Sequence, residues 1–276
     1  MPPAPDRLRR ALRPLLAHPR VVPATALILR ARTVAPAWRL AGRELTGRRG
    51  LALYRAREGG LQVGVRHATG DLVTLGEVFH ERDYDPPPAV EALLGDAPRI
   101  LDLGANVGMF GAWALGRWPR ADVTAYEPDP ANAEVHERVI AANGLGARWR
   151  LVRAAAGASQ GTVSFSSGEI ALSHVLAPGE RAAGQTIEVE LRDVLDEVAD
   201  ADLVKLDIEG GEWPILSDPR FATAPPRTLA MEYHAHGAPG ADPRAEAQRL
   251  LAGAGLRTAD IRRHAHGDGM LWAWRT

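Results

Sequence analysis

From residue 89 onward, short apolar runs alternate with stretches of helical period, the pattern of parallel strands covered by helices on both faces. Strands are expected at 99–103, 122–126, 149–154, 202–207 and 227–233, and helices near 107–118, 130–143, 192–198, 212–217 and 243–253. Asn143 and Gly144 supply a left-handed stop for the second helix. Runs at 256–261 and 270–274, with Gly267, Asp268 and Gly269 as the turn between them, predict a closing antiparallel pair. Ahead of this region, 5–45 has helical period, while 51–54, 61–65 and 71–75 alternate as small antiparallel strands. The prolines at 86–88 mark a boundary, because consecutive prolines continue neither a helix interior nor a strand. The chain therefore divides into an extension, 1–88, and an α/β domain, 89–276. A polar insertion spans 161–190, with short strands at 161–165 and 186–190.

Candidate chemistry begins in the stretch R-I-L-D-L-G-A-N-V-G-M-F at 99–110, a buried strand that turns through glycines into a helix. Gly104 and Gly108 permit a sharp turn and a close approach of backbone to ligand. A dinucleotide fingerprint would read G-x-G-x-x-G, its second glycine admitting a pyrophosphate. Asn106 stands there instead, which disfavours pyrophosphate. About 20 residues further on, at the end of the next strand, a ribose-binding acid is expected, and Glu127 followed by Pro128 supplies it. A ribose site without a pyrophosphate site suggests S-adenosylmethionine.

Charge and composition narrow the partners. The 276 residues carry a formal net charge of −1, so the overall charge offers no footprint for a nucleic-acid partner, and none is expected. No cysteine is present, which removes disulfides and thiolate metal sites. The apolar run at 21–29 is too short for a bilayer span, which takes about 20 residues, and Arg30 and Arg32 follow it where a cleavage site would stand. A cytoplasmic protein without a transmembrane segment is expected. The basic helices of 5–45 read as packing on the domain with a solvated face, contact with a membrane or an acidic partner being the alternative. A hydrophobic content of 46% and seven tryptophans serve a core or an interface equally, leaving the oligomeric state open.

Three blocks in order, D-L-G-A-N-V-G at 102–108, Y-E-P-D-P at 126–130 and V-K-L-D-I-E-G-G-E at 204–212, resemble the FkbM-type S-adenosylmethionine-dependent methyltransferases. The resemblance covers roughly residues 70–235, and its third block is the most diagnostic. It implies a Rossmann-like class I methyltransferase fold, a mixed seven-stranded sheet with helices on both faces. It also implies a donor site formed by Asp102, Gly104, Ala105, Asn106, Gly108, Glu127 and Pro128, with the adenine end near Ala155. Arg66 to Tyr84, including Asp71, Glu77 and Phe79, matches a stretch that is either a lid or a support for the sheet, and Ser173 matches a serine that borders the acceptor. The acceptor class implied is a hydroxyl on a sugar, a glycolipid or a polyketide-type small molecule.

Lys205 is the chain's single lysine among 33 basic residues, and it lies two positions before Asp207, on the same face of a strand. A lysine whose pKa falls on burial can act as a base. Methyl transfer to oxygen requires alignment of the acceptor and removal of its proton, by a positioned base or by a cation that acidifies the hydroxyl. Lys205, Asp207 and His234 are the catalytic candidates. Asp207, Glu209 and Glu232 are the candidate ligands of a hard cation such as magnesium. Glu212 suits the start of the following helix. The pairs His234/His236 and His264/His266 have i, i+2 spacing but no third ligand, and are expected to be exposed. N-methylation, and a non-catalytic module that binds S-adenosylmethionine within a larger assembly, are the alternatives.

Overall fold

The computed structural model describes residues 21–167, 175, 185–263 and 267–275. Ser173, His264, His266 and the helical period predicted for 5–20 lie outside the described residues. Helices α1 (Val21–Ala31) and α2 (Ala37–Leu45) open the described chain, with the two-residue strand β1 (Val34–Ala35) between them. Strands β2 (Gly50–Ala56) and β3 (Gln62–His67) pair antiparallel, and β1 adds to β2.

The expected strand at 71–75 is instead a helix, α3 (Asp71–Gly76), which runs into a π-helical turn (Glu77–Glu81). Its burial has helical spacing: Asp71, Leu75, Val78 and Phe79 are buried while Val73 is exposed. Arg66 secures its start, donating to the Asp71 carboxylate from its backbone N–H at 2.8 Å and its guanidinium at 2.8 and 2.9 Å.

The central sheet has the order β12-β13-β11-β10-β4-β5-β6. Strands β4 (Arg99–Leu103), β5 (Asp122–Tyr126), β6 (Trp149–Val152), β10 (Leu203–Leu206) and β11 (Thr228–Tyr233) are parallel. Strands β12 (Arg257–Arg263) and β13 (Gly269–Trp274) close it antiparallel. From β4 the chain steps outward to β5 and β6 before crossing to β10 and β11 on the other side. The β4/β10 boundary is thus a topological switch point, where open α/β sheets bind ligands beyond the strands' carboxyl ends.

Helices α5 (Met109–Arg117), α6 (Pro130–Asn143) and α8 (Glu212–Ser217) follow the site-bearing strands. The strand expected at 149–154 ends at Val152, because Ala155–Gly157 (β7) leaves the main sheet. It pairs with β9 (Gln185–Asp193), itself hydrogen-bonded to β8 (Gly161–Ser167). That pairing draws residues 192 and 193 into the strand, so the helix expected from 192 starts at Leu195 (α7, Leu195–Asp200). Buried side chains of the extension, among them Leu40, Tyr54 and Leu75, share one core with Ile100, Trp113 and Trp149 of the sheet region.

Candidate active site

The turn after β4 holds three residues in left-handed backbone, Gly104, Asn106 and Gly108, at φ 80°, 48° and 84°. Asparagine is among the few side chains that tolerate this region, which accounts for its presence between the glycines. The glycines themselves answer to protein neighbours. A Cβ on Gly104 would lie 1.8 Å from the Asp207 carbonyl oxygen, and one on Gly108 would lie 2.5 Å from the His136 ring. The expected clearance for a ligand is therefore space the protein needs for itself at these two positions. Helix α5 starts at Met109 rather than 107, because Gly108 is its left-handed cap.

A cavity of about 430 Å³ opens at the switch point, within the range of small-molecule sites. Gly104, Ala105, Asn106, Glu127, Pro128 and Ala155 line it, and Asp102 and Gly108 do not. Glu127 accepts hydrogen bonds from the backbone N–H groups of Asn106 and Asp129, both at 2.8 Å. Oε1 also accepts from Asn132 Nδ2 at 3.4 Å, while Oε2, bonded only to the Asn106 N–H, keeps a lone pair for a ligand hydroxyl. Burial lifts the Glu127 carboxyl to about 7 against the pull of those two amides. Ala156 and Phe165 extend this wall beside Ala155. The buried Asn106 Oδ1 has no hydrogen-bond partner among the described residues.

The opposite wall carries Lys205, Asp207, Glu209, Glu232 and His234. Lys205 is buried in the middle of the sheet, its ammonium 3.1 Å from Asp207 and 3.7 Å from Asp102, and it donates to the Gly104 carbonyl at 2.6 Å. Burial works against its charge, but Asp207 and Asp102 prevail and hold its pKa above the ordinary lysine value. Both carboxylates favour the charged form of Lys205, which runs against the expectation of a lysine base. The expectation of an exposed His234 is corrected as well, since only His236 of that pair is exposed. His234 is buried, its Nδ1 bonded to the buried Glu212 carboxylate and its Nε2 3.4 Å from Glu209. Burial disfavours its charge, yet Glu212, Asp207 and Glu209 raise its pKa to about 10. It too is a cation at neutral pH.

Carboxylates outnumber these cations, and the excess shows in their proton affinities. Burial, with Asp207 next, lifts Glu209 to about 7 and Glu232 to about 8. Two further carboxylates belong to this neighbourhood. Glu77, from the π-helical turn, lines the cavity and is lifted to about 7 by burial and by Asp207. Glu212 does begin α8 as expected, but it is fully buried and serves as the partner of His234. In the sequence only the matched stretch 66–84 pointed to Glu77, and nothing local announced the Glu212–His234 pair.

One ligand atom each of Asp207, Glu232 and His234 lies within 4.8 Å of the others, a candidate trio that includes the histidine and not Glu209. This donor set does not fit magnesium. Magnesium takes oxygen ligands, and here the nitrogen donor is an imidazolium held by Glu212.

The strand order, with six strands running one way and an antiparallel β13 inserted between β11 and β12, defines the class I methyltransferase fold. The chain belongs to the FkbM methyltransferase family: the family model, described as Methyltransferase FkbM domain, matches residues 102–250. It is similar to Methyltransferase sdnD of Sordaria araneosa, 26% identical over 174 residues that cover 51% of this chain and 65% of that protein. Among solved structures it is similar to methyltransferase FkbM from Methylobacillus flagellatus, with a TM-score of 0.48 and 14% identity, covering 94% of this chain and 60% of that one. It is also similar to TYW2 of M. jannaschii in complex with AdoMet, with a TM-score of 0.45 and 12% identity, covering 82% of this chain and 85% of that one. The chain thus spans less than two thirds of the length of the first two. Among the described residues no helix is long and apolar enough to cross a membrane.

Proposed function

We propose that the protein transfers a methyl group from S-adenosylmethionine to a hydroxyl of a small acceptor. One observation carries this reading. A single cavity at the β4/β10 switch point has the Glu127 carboxylate and the 104–106 turn on one wall, and Asp207, Glu232 and His234 on the other. When bound, S-adenosylmethionine supplies a methyl already activated on sulfonium. The chain's own residues bind, align and take up a proton. Glu127 accepts a ribose hydroxyl, Ala155 and Pro128 receive the flat ring, and the backbone of the turn meets the amino-acid end. Asp102 and Gly108 act from beneath the turn, the first through Lys205 and the second by making room for His136.

Lys205 positions Asp207, and His234 balances the carboxylates around it. Asp207 accepts from a neighbouring polar hydrogen of the acceptor, while the reacting hydroxyl donates its hydrogen bond to Glu232. Glu232 takes the proton, because a base works best with a pKa near the operating pH. Residues 1–88 belong to this scheme as support and lid, with Thr74, Glu77, Val78 and Tyr84 on the cavity wall.

The test is isothermal titration with S-adenosylhomocysteine, followed by transfer of labelled methyl to a panel of hydroxylated and amino acceptors. Tight donor binding and an ether product are expected. Glu127→Ala should weaken the donor by about tenfold to a hundredfold, the worth of a charged hydrogen bond. Unchanged affinity in that variant removes Glu127 from the site. A methylated amine would establish the N-methyl alternative, and binding without any turnover would favour a non-catalytic module.

A further inference from the structure

Charge is divided along this chain in a way that its net value conceals. Residues 1–50 hold eleven arginines against Asp6 and Glu44, a net of +9, and the remaining 226 residues carry a net of −10. Such asymmetry marks a segment that meets an anionic surface.

Within the described part of that segment, α2 presents apolar side chains to solvent. Trp38 is 77% and Leu45 75% exposed, the highest exposures of large hydrophobic side chains among the described residues, and their separation of seven residues puts them on one helix face. Gly42 lies between them with open space above it, and Leu40 anchors the helix from its buried side. Ile28, on the adjoining α1, is also half exposed. Arg32, Arg39, Arg48 and Arg49, within and on either side of α2, are exposed, the Arg39 guanidinium lying 5.7 Å from the centre of the Tyr54 ring. Glu44, the one acid between residues 32 and 50, is turned inward to His67 Nδ1 at 2.6 Å.

We propose that the Trp38–Leu45 face of α2, with the neighbouring arginines, docks the enzyme on an anionic phospholipid bilayer. The charge pattern selects this occupant. A second copy would set the same arginine-rich face against itself, and residues 1–20 of the chain carry five arginines against Asp6, so both would be repelled. An anionic bilayer satisfies both parts of the face: arginines meet lipid phosphates, while an exposed tryptophan and leucine enter the boundary between headgroups and acyl chains. Helix α1 packs against both α2 and the π-helical turn that bears Glu77, so a docked enzyme would hold its cavity lid about one helix diameter from the lipid.

Flotation of the full chain with phosphatidylcholine vesicles, with and without phosphatidylglycerol, tests the proposal. Binding is expected only with phosphatidylglycerol and should weaken as salt rises. Trp38→Ala with Leu45→Ala should lower the partition coefficient by about tenfold or more. Arg39→Gln with Arg48→Gln should lower it by about thirtyfold. All four side chains are exposed, so both double variants should keep the parent's unfolding temperature. Absence of binding to phosphatidylglycerol vesicles overturns the proposal, as does binding that both variants leave unchanged. A dimer dissolved by Trp38→Ala would assign the face to a second copy. Salt-sensitive binding to duplex DNA in preference to vesicles would assign it to nucleic acid.

Discussion

Lys205 Nζ donates to the carbonyl oxygen of Gly104 at 2.6 Å, so the strand that leads into Asp207 also holds the glycine turn after β4. Gly104 in turn has no room for a side chain because the Asp207 carbonyl lies where its Cβ would be. The two walls of the cavity are thus built against each other.

Lys205→Met would leave Asp102 and Asp207 without their shared buried cation. A loss of about 3–5 kcal/mol of stability is expected, the usual penalty for breaking a buried pair from one side. Denaturant unfolding measures it. Lys205→Arg should not restore the parent, since a planar fork replaces a compact donor aimed at one carbonyl. Full rescue by arginine would show that charge alone matters at this position.

The pH dependence of kcat/KM should follow Glu232. Only the ionised carboxylate accepts a proton, and ionisation grows with pH, so activity should rise as the pH passes through about 8. It should fall again near pH 10 as the His234 imidazolium loses its proton. Glu232→Gln should remove the rising limb and lower the rate by about a hundredfold to ten-thousandfold. A rising limb that survives in Glu232→Gln would place the base elsewhere.

His136 lies fully buried behind Gly108, with its ring edge against Trp149, and burial lowers its pKa to about 4. Its folded-state pKa is thus below the unfolded value near 6.5, so the unfolded chain binds the proton more readily between those two values. The contribution is complete above pH 6.5 and is lost as the pH falls toward 4, by on the order of 3 kcal/mol. Unfolding free energies of the parent and of His136→Phe, compared at neutral and acid pH, isolate this contribution. A difference that does not change with pH would contradict it.

Titration with S-adenosylhomocysteine in EDTA and again with magnesium should give the same affinity, and methyl transfer should proceed in both. The carboxylates near Glu232 already have Lys205 and the His234 imidazolium beside them. Activity abolished by EDTA and restored by a transition metal would instead assign the trio of Asp207, Glu232 and His234 to a metal.

Much of the fold was legible because its signals are local. Helix 130–143 matched to the residue. Asp129 accepts from the N–H groups of Ala131 and Asn132, Pro130 starts the first turn, and Gly144 ends it at φ 64°. Helices 212–217 and 243–253 and strands 99–103 and 122–126 also matched. The segment 71–75 did not. Its alternation and its β-branched Val73 and Thr74 suit a strand, but burial of Leu75, Val78 and Phe79 in the shared core has helical spacing, and Arg66 holds Asp71 at the helix start.

By itself the sequence determined the order of strands and helices, the glycine turn, and which residues could carry chemistry, because periodicity, caps and residue type are properties of neighbours in the chain. Only the tertiary structure decided the charge those residues carry. Glu212 meets His234 across 22 positions, and Lys205 meets Asp102 across an adjacent strand. Burial raises the cost of every unpaired charge at such meeting points, so proton affinities are set by what the fold brings together. That is why Lys205, whose charge burial alone would disfavour, has its pKa held above the ordinary lysine value, while His234 is raised to about 10 and Glu232 to about 8.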